Sequence, residues 1–297
     1  MRIVSIVNPV SGAGMNPGIA ARRVEMIRDG LARRGLRGEI RLTERAGHAR
    51  EMAQQAVADR ADLVIVWGGD GTVNEVGGSL AGSETAMALI PAGSGNGLAN
   101  GLAVPRDPSA ALAIALGDRV RRVDVGMVND LPFFNVAGIG FDAHVARLFN
   151  LRARGRRGPL PYVVIGVREG CRYAGREYTV TLEGASRATS TMKALLIAFA
   201  NGSEYGMGIR IAPHARLDDG LLEACVVRDR PVLSRFLHAR HLVRGSIDLA
   251  PQLVRDSVRK ATVESAVEIE YHLDGEPGIA RGPLEISVRP GALKVVA

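Results

Sequence analysis

The sequence predicts two domains: a three-layer α/β domain on a doubly wound parallel sheet, followed by a β-rich antiparallel sandwich. Three observations predict this. Apolar runs at Ile3–Val7, Leu63–Trp67 and Met87–Ile90 each end in a glycine-rich turn, and in an open parallel sheet such strand ends line one crevice. Strand-like and helix-length segments alternate over the first 125 residues, the pattern of a parallel sheet with helical crossovers. From Val123 onward, short strand-like runs are separated by Gly, Asn and Asp turns, as in an antiparallel domain. A chain of 297 residues is large for one core, so two domains are the natural expectation.

The elements follow in order. After the first apolar run, Asn16-Pro17 reads as a cap and first-turn proline for a helix through Val24, Ile27 and Leu31. A strand at Glu39–Leu42 and a helix over His48–Asp59 lead to the Leu63–Trp67 strand. Next come a helix after Thr72, the Met87–Ile90 strand and a helix over Ser109–Leu116. Val123–Val128, a turn at Asn129-Asp130 and Phe133–Ala137 read as a hairpin. Further strands are expected at Tyr178–Leu182, Ala194–Ala200, Leu221–Val227, Ala261–Ile269 and Leu284–Val288, with helices over Ala143–Asn150 and Val232–Arg244 and an exposed loop at Arg152–Pro161.

The glycine turns carry the chemistry. Asn8-Pro9-Val10-Ser11-Gly12-Ala13-Gly14 resembles half a dinucleotide fingerprint, but Pro17 breaks the spacing that a nicotinamide cofactor needs. Gly68-Gly69-Asp70-Gly71-Thr72 surrounds one carboxylate with glycine, which costs conformational entropy unless the backbone must approach something. Beside phosphates, Asp70 can hold Mg²⁺ through water or take a proton from an acceptor hydroxyl; the plainer reading is a tight turn in which it caps the next helix. Asn74 and Glu75, one turn on, face the same crevice or serve the helix dipole. In Pro91-Ala92-Gly93-Ser94-Gly95-Asn96-Gly97 the serine is flanked directly by glycines, which is not the nucleophile-elbow spacing. Ser94 therefore reads as a hydroxyl donor to phosphate and Asn96 as a polar contact. Three such loops at one sheet edge make a polyphosphate site and imply a phosphotransferase. Leu217-Asp218-Asp219-Gly220-Leu221 and His272-Leu273-Asp274-Gly275-Glu276-Pro277 read as carboxylate-bearing turns, the second with Glu276 projecting at its end.

Charge and composition narrow the class. The net charge is +7, carried almost wholly by arginine, and Lys193, Lys260 and Lys294 match no P-loop. Few aromatic residues interleave with the arginines, so no nucleic-acid stacking platform is expected. The arginines from Arg152 to Arg176, with Arg154, Arg156, Arg157, Arg168 and Arg172 between, suit an anionic lipid surface. Val232, Phe236, Ala239 and Val243 share one helical face beside Arg235, His238, Arg240, His241 and Arg244. That helix either lies in a membrane interface or packs on the sheet. No apolar stretch reaches the roughly 20 residues that would span a bilayer. Met1–Pro9 reads as a buried first strand rather than a signal peptide. Cys171 and Cys225 belong to no metal or redox spacing, which fits a reducing, cytoplasmic setting.

Taken together, the blocks resemble the diacylglycerol/sphingosine kinase-like lipid kinase family over essentially the whole chain. The matching set is Asn8-Pro9-x-Ser11-Gly12, Thr43 with Gly47-His48-Ala49, Gly68-Gly69-Asp70-Gly71-Thr72 with Asn74-Glu75, and Pro91 to Asn96. It continues through Asn135-x-Ala137-Gly138-x-Gly140-Phe141-Asp142-Ala143, Asn201, Asp218-Asp219-Gly220 and Asp274-Gly275-Glu276. The third loop is closer to sphingosine and ceramide kinases than to the Gly-Thr-x-Asn-Asp of bacterial diacylglycerol kinases, while the lack of long inserts points to a bacterial type.

The resemblance implies an NAD kinase/diacylglycerol kinase-like nucleotide domain over 1–125, rejoined by about 287–297, a lipid-binding domain over 126–286, and a cleft between them. It implies ATP and Mg²⁺. Asn8, Pro9, Ser11, Gly12, Thr43, Gly68, Gly69, Asp70, Gly71, Thr72, Asn74, Glu75, Ser94, Gly95 and Asn96 would contact ATP. Asp142 would lie toward the substrate. Asp219, with main-chain oxygens of Arg216 and Leu221, would hold the metal. Glu276 is favoured as general base, with Asp70 an essential Mg²⁺–phosphate residue. The expected reaction is transfer of the γ-phosphoryl group of ATP to a hydroxyl of diacylglycerol, a sphingoid base or ceramide, at the inner face of a membrane. An NAD kinase-like enzyme and a non-catalytic nucleotide or lipid binder are the alternatives, and self-association into a homodimer is left open.

Overall fold

The computed structural model describes residues 1–12, 17–152, 159–184, 187–206, 209–232, 234–235 and 253–297, the side chains of 17, 152, 159–163, 204–206 and 209 excepted. Gly14 of the first glycine turn and the predicted Asn16 cap, the arginines at 154, 156 and 157, and most of the predicted 232–244 helix lie outside the described residues. The chain divides into two compact units, Met1–Val123 with Gly291–Ala297, and Asp124–Pro290.

The first unit alternates strand and helix: β1 (Ile3–Val7), α1 (Pro17–Arg33), β2 (Gly38–Leu42), α2 (His48–Ala58), β3 (Leu63–Gly68), α3 (Asp70–Leu80), β4 (Ala86–Pro91), α4 (Gly97–Gly101) and α5 (Pro108–Ala115). β1 lies between β2 and β3, with β4 beyond β3, all parallel. The C-terminal segment adds a further parallel strand, Val295 opposite Met87. β1, β3 and β4 are buried along their whole length, which is why they read as continuous apolar runs. The path steps from β1 to β2 in one direction and from β2 through β3 to β4 in the other. Right-handed crossovers then put α1 on one face and α2 and α3 on the opposite face. The packing agrees, α1 against α5 and α2 against α3. The reversal at β1 leaves a crevice at the carboxyl ends of β1 and β3, where Val7 and Trp67 stand side by side.

β5 (Val120–Val128) carries the chain into the second unit, which begins at Asp124, and closes a hairpin with β6 (Leu131–Phe133) across Asn129-Asp130. The expected second arm, Phe133–Ala137, is divided: β7 (Val136–Gly140) leaves the hairpin to pair elsewhere. α6 (Phe141–Arg152) and α7 (Pro159–Gly170) follow. α7 corrects the expectation of an exposed loop through Pro161: prolines are tolerated in a first helical turn, whose N–H groups lack partners in any case. The remaining strands are β8 (Arg176–Glu183), β9 (Arg187–Ala200), β10 (Glu204–Gly206), β11 (Ile209–Arg210), β12 (Leu222–Arg228), β13 (Leu253–Val258), β14 (Lys260–Glu264), β15 (Ile269–Leu273), β16 (Glu276–Ala280) and β17 (Leu284–Val296). The expected single run Ala261–Ile269 is two strands, β14 and β15.

This unit is the β-sandwich, and β9 is its spine, antiparallel to β7, β8 and β12. Side chains alternate across a strand, so Ile197 and Phe199 enter one core with Phe133, Tyr178 and Ile286. Leu196, Ala198 and Ala200 enter a second with Ile211, Cys225 and Val227. Burial on both faces explains why Ala194–Ala200 shows no polar alternation.

Candidate active site

In the first unit the three glycine turns pack on one another at the carboxyl ends of β1, β3 and β4. Asn8 links the first two: its N–H donates to the Trp67 carbonyl at 2.9 Å and its Nδ2 to Thr72 Oγ1 at 2.9 Å. Gly12 has φ +75°, and a Cβ there would sit 2.2 Å from the Ala92 carbonyl oxygen of the third loop. At Gly95 a Cβ would lie 2.8 Å from Asp70 Oδ2. These glycines are therefore required by loop-on-loop packing.

Asp70 begins α3 and spends its carboxylate on another helix. Oδ2 accepts the Asn96 N–H at 2.9 Å and Oδ1 the Gly97 N–H at 2.8 Å, capping α4, which the sequence reading did not find. Asn96 in turn closes the third loop, accepting from Gly93 N–H at 2.8 Å and donating to Gly93 O at 2.7 Å, with φ 56°. Glu75, one turn further along α3, behaves in the same way toward α2: its carboxylate accepts the Gly47 N–H at 2.9 Å and the Arg50 N–H at 3.3 Å. Two acidic residues of α3 thus cap two neighbouring helices, and Glu75 shapes the Thr43–His48 turn from behind it. Thr43 is buried, its N–H donating to Val7 O at 2.9 Å.

The two predicted serines differ. Ser11 is buried, and its hydroxyl donates to Asn8 O at 3.1 Å and accepts from Arg23 at 3.1 Å. Ser94 is exposed at the tip of its loop, with Gly93 and Gly95 half-buried beside it. Asn74, Pro9, Gly69 and Gly71 are likewise half-buried around the turns.

Sequence reasoning missed Arg23. It falls at the spacing of Ile27 and Leu31, which α1 buries, so an arginine on an apolar helical face was the available signal.

In the second unit the turns are organised by carboxylates. Asp124, 2% exposed in the middle of β5, accepts the Gly220 N–H at 2.7 Å and donates its own N–H to Leu217 O at 2.7 Å. It fixes the turn that carries Asp218 and Asp219, and an aspartate inside an apolar strand was the overlooked signal. Asp219 Oδ1 accepts the Leu221 N–H at 3.0 Å. Partial burial, with Asp124 and Glu223 nearby, pushes the Asp219 carboxyl above its ordinary value, against the opposing pull of the Leu221 N–H and Arg216. Crowded carboxylates of this kind are relieved by a cation, and Asp219 would offer Mg²⁺ a carboxylate oxygen. Among the described residues no three His, Cys, Asp or Glu side chains are grouped to hold a metal, so main-chain oxygens would complete the site.

Asp274 has φ 50° and accepts three backbone N–H groups, from Phe134 at 2.8 Å, Asn135 at 2.9 Å and Val136 at 3.1 Å. It anchors the hairpin whose next strand opens with Glu276. Glu276 is exposed, and among the described residues no hydrogen bond or ion pair engages its carboxylate.

Asp142, read as a substrate contact, is 6% exposed and enclosed. It accepts its neighbour Ala143 N–H at 2.9 Å and lies 3.4 Å from His272 Nε2. A Cβ on Gly138 would come within 1.9 Å of its Oδ2, so Gly138 is required for it to fit. Arg176, read as part of a basic surface, is half-exposed and lies 3.8 Å from Glu270. Glu270 also lies 3.6 Å from His144, whose other ring nitrogen is 3.3 Å from Glu169. A cavity of about 470 Å³ opens nearby, lined by Arg176, Val267, Glu268, Glu270 and Ile279. No predicted site residue lines it, so volume does not mark this site.

Comparison with known proteins agrees with both units. The family model of the diacylglycerol kinase catalytic domain matches residues 2–128, and that of the YegS C-terminal NAD kinase beta sandwich-like domain matches residues 135–297. A "Probable lipid kinase YegS-like" protein of Chromohalobacter salexigens is 32% identical over 87% of this chain and 83% of its own length. One of the same description from Pseudomonas aeruginosa is 31% identical over 86% of this chain and 83% of its own. A crystal structure of a candidate diacylglycerol kinase from Bacillus anthracis str. Sterne superposes with a TM-score of 0.82 at 25% identity, covering 99% of this chain and 94% of that one. With both halves matched and relatives covered along most of their length, the chain belongs to the YegS-like family of bacterial lipid kinases.

Proposed function

We propose that this protein transfers the γ-phosphoryl group of ATP to a hydroxyl of a membrane lipid, with Mg²⁺. The observation that carries the reading is the division of labour among its carboxylates: Asp70 is engaged on both oxygens in building the glycine loops, while Glu276 stands exposed and, among the described residues, unengaged. With both Asp70 oxygens committed to the loop backbone, Glu276 is the carboxylate open to an incoming hydroxyl, and it takes the proton of the acceptor. Asp70 holds the second and third loops in the shape that receives phosphate. Phosphoryl transfer is mostly positioning and charge neutralisation. The backbone N–H groups of Asn8–Gly12, Gly68–Thr72 and Gly93–Asn96, with the exposed Ser94 hydroxyl, orient the phosphates, and Thr43, Asn74 and Glu75 shape the surrounding turns. Mg²⁺ neutralises phosphate charge when bound, and Asp219 with main-chain oxygens of Arg216 and Leu221 would hold it. Asp142 acts from beneath, through His272.

The acceptor is a lipid by family, with diacylglycerol, a sphingoid base and ceramide as the candidate hydroxyl compounds. Among the described residues no helix is long and apolar enough to cross a membrane, and peripheral docking at an anionic inner leaflet is the proposed route to substrate. Exposed Leu151 lies just before the arginine-bearing stretch in sequence and exposed Val164 and Val167 within it, and they support that route.

The test is phosphoryl transfer from labelled ATP with Mg²⁺ to diacylglycerol, sphingosine, dihydrosphingosine and ceramide in mixed micelles, with NAD as a soluble acceptor, beside Asp70→Asn and Glu276→Gln. A phosphorylated lipid that disappears with Glu276→Gln establishes the reading. Product from NAD alone would replace it with an NAD kinase, and ATP binding without any product would make the protein a binder.

A further inference from the structure

Arg23 lies on α1, 7% exposed. Its Nη1 donates to Asn8 O at 2.6 Å and to Ser11 Oγ at 3.1 Å, and its Nη2 donates to Ser11 O at 2.7 Å. A guanidinium has five N–H donors, and here three hold the two ends of one turn. The face of the group lies over Trp67, Cζ 5.4 Å from the ring centroid. Burial draws its pKa below the ordinary value, though a guanidinium remains charged at neutral pH.

Two features make this more than a structural clamp. Among the described residues no carboxylate pairs with Arg23, and a buried charge without a counter-ion is costly unless something completes it. The glycine loops Asn8–Gly12, Gly68–Thr72 and Pro91–Gly97 contain no lysine or arginine, and their one ionisable side chain, Asp70, is anionic. Their backbone N–H groups can orient phosphates, but no side chain within them brings a positive charge to the point where the reading above requires one.

We infer that Arg23 is the positioning residue of the first loop, setting its shape for a polyphosphate and supplying from behind the positive charge that the loop's own sequence lacks. By taking the Ser11 carbonyl, it orients that trans peptide so that the Gly12 N–H points the opposite way, and Gly12 is exposed. Pro9 has no N–H to offer, so the Asn8 carbonyl can be surrendered to Arg23 without misdirecting a donor. The inference rests on the kinase reading for its ligand and on the geometry of the turn for its residue.

Trp67 is the single tryptophan of the chain and is buried beneath the guanidinium, so its emission reports on this site without a label. Wild type, Arg23→Lys and Arg23→Gln are titrated with sodium tripolyphosphate and with MgATP, following Trp67 emission, alongside KM for ATP, kcat and thermal midpoint. Wild type should show a saturable change in emission with tripolyphosphate alone. Arg23→Gln should weaken tripolyphosphate and ATP by about 10–100-fold, the range for losing a hydrogen-bonded charge, with KM rising far more than kcat falls. Arg23→Lys, which restores charge but not the two-carbonyl fork, should fall between them. Unchanged tripolyphosphate affinity in Arg23→Gln overturns the inference. So does an equal loss in both variants that tracks a fall in thermal midpoint, since the role is then structural. Should both variants unfold, wild type decides: tripolyphosphate binding seen by calorimetry with no change in Trp67 emission also overturns it. Binding that depends on Arg23 without phosphorylation of any lipid would sink the kinase reading and leave this inference standing. Lipid phosphorylation indifferent to Arg23 would do the reverse.

Discussion

The glycine turns of the first unit and the aspartate turns of the second use one device for different ends. In both, a carboxylate reaches far along the chain to cap backbone N–H groups: Asp70 to Asn96 and Gly97, Asp124 to Gly220, Asp274 to Phe134, Asn135 and Val136. In the first unit the capped object is itself the proposed ligand-binding surface, a set of loops with no room for a Cβ at Gly12 or Gly95. In the second, the capped turns are platforms that leave a different residue facing out, Asp219 from one and Glu276 from the other. An aspartate in a glycine turn is therefore not a reagent by virtue of its motif. What distinguishes builder from reagent is the number of donors already on its oxygens.

The sharpest way to break this comparison is to neutralise a reagent and a builder. Glu276→Gln should lower kcat by about 10²–10⁴-fold, the usual range for a general base, while leaving the thermal midpoint unchanged, because its carboxylate holds nothing together. A midpoint that drops with it would make Glu276 a builder too. Asp70→Asn and Asp274→Asn should each cost stability, about 1–3 kcal/mol for mismatched buried donors, read by chemical denaturation. Asp70→Asn should abolish most activity as well, whereas Asp274→Asn should act on activity only as far as it displaces Glu276. Equal stability with wild type in both would refute the capping role.

Ser11 and Ser94 give a smaller contrast. Ser11→Ala should destabilise by about 0.5–1.5 kcal/mol through its lost internal hydrogen bonds. Ser94→Ala should stay within about 0.5 kcal/mol and raise KM for ATP a few-fold; the reverse order would exchange their roles. The smallest effect is at Asp219. Its carboxyl titrates above the ordinary value in the folded chain, so the fold holds the proton more tightly than the unfolded chain does. Stability should then fall as pH rises from the ordinary carboxylate range through the raised value, leaving an uncompensated anion at neutral pH. Without Mg²⁺, Asp219→Asn should flatten that part of the pH profile and change stability at pH 7 by no more than about 0.5 kcal/mol. With Mg²⁺, wild type should gain stability that the variant does not. Equal Mg²⁺ stabilisation of both would remove Asp219 from the metal site.

Much of the fold was legible because parallel strands buried on both faces are continuous apolar runs, and β1, β3 and β4 end at the glycines that mark them. The sequence was less informative where local and tertiary signals diverge. α4 is five residues with two glycines, too short and too flexible to announce itself, and it exists because Asp70 caps it. α7 opens on Pro159 and Pro161, which read as loop until their place in a first turn is known. Among site residues, Ser94 and Glu276 are where an exposed-residue reading would put them, whereas Ser11 and Asp142 are enclosed.

The sequence by itself determined the strand and helix alternation, the three turns at one sheet edge and the kinds of side chain available there, because these follow from local periodicity and from residues adjacent in the chain. Only the tertiary structure decided which carboxylates are engaged in capping and which are left exposed. The donors that decide it lie 26 residues from Asp70, 96 from Asp124 and 140 from Asp274. The arginine that completes the first loop comes 15 residues after Asn8, from the inner face of a helix. No spacing rule links residues so far apart. They meet only because the packed sheet brings them within hydrogen-bonding distance, where a buried donor or acceptor must be matched or its lost hydration goes uncompensated.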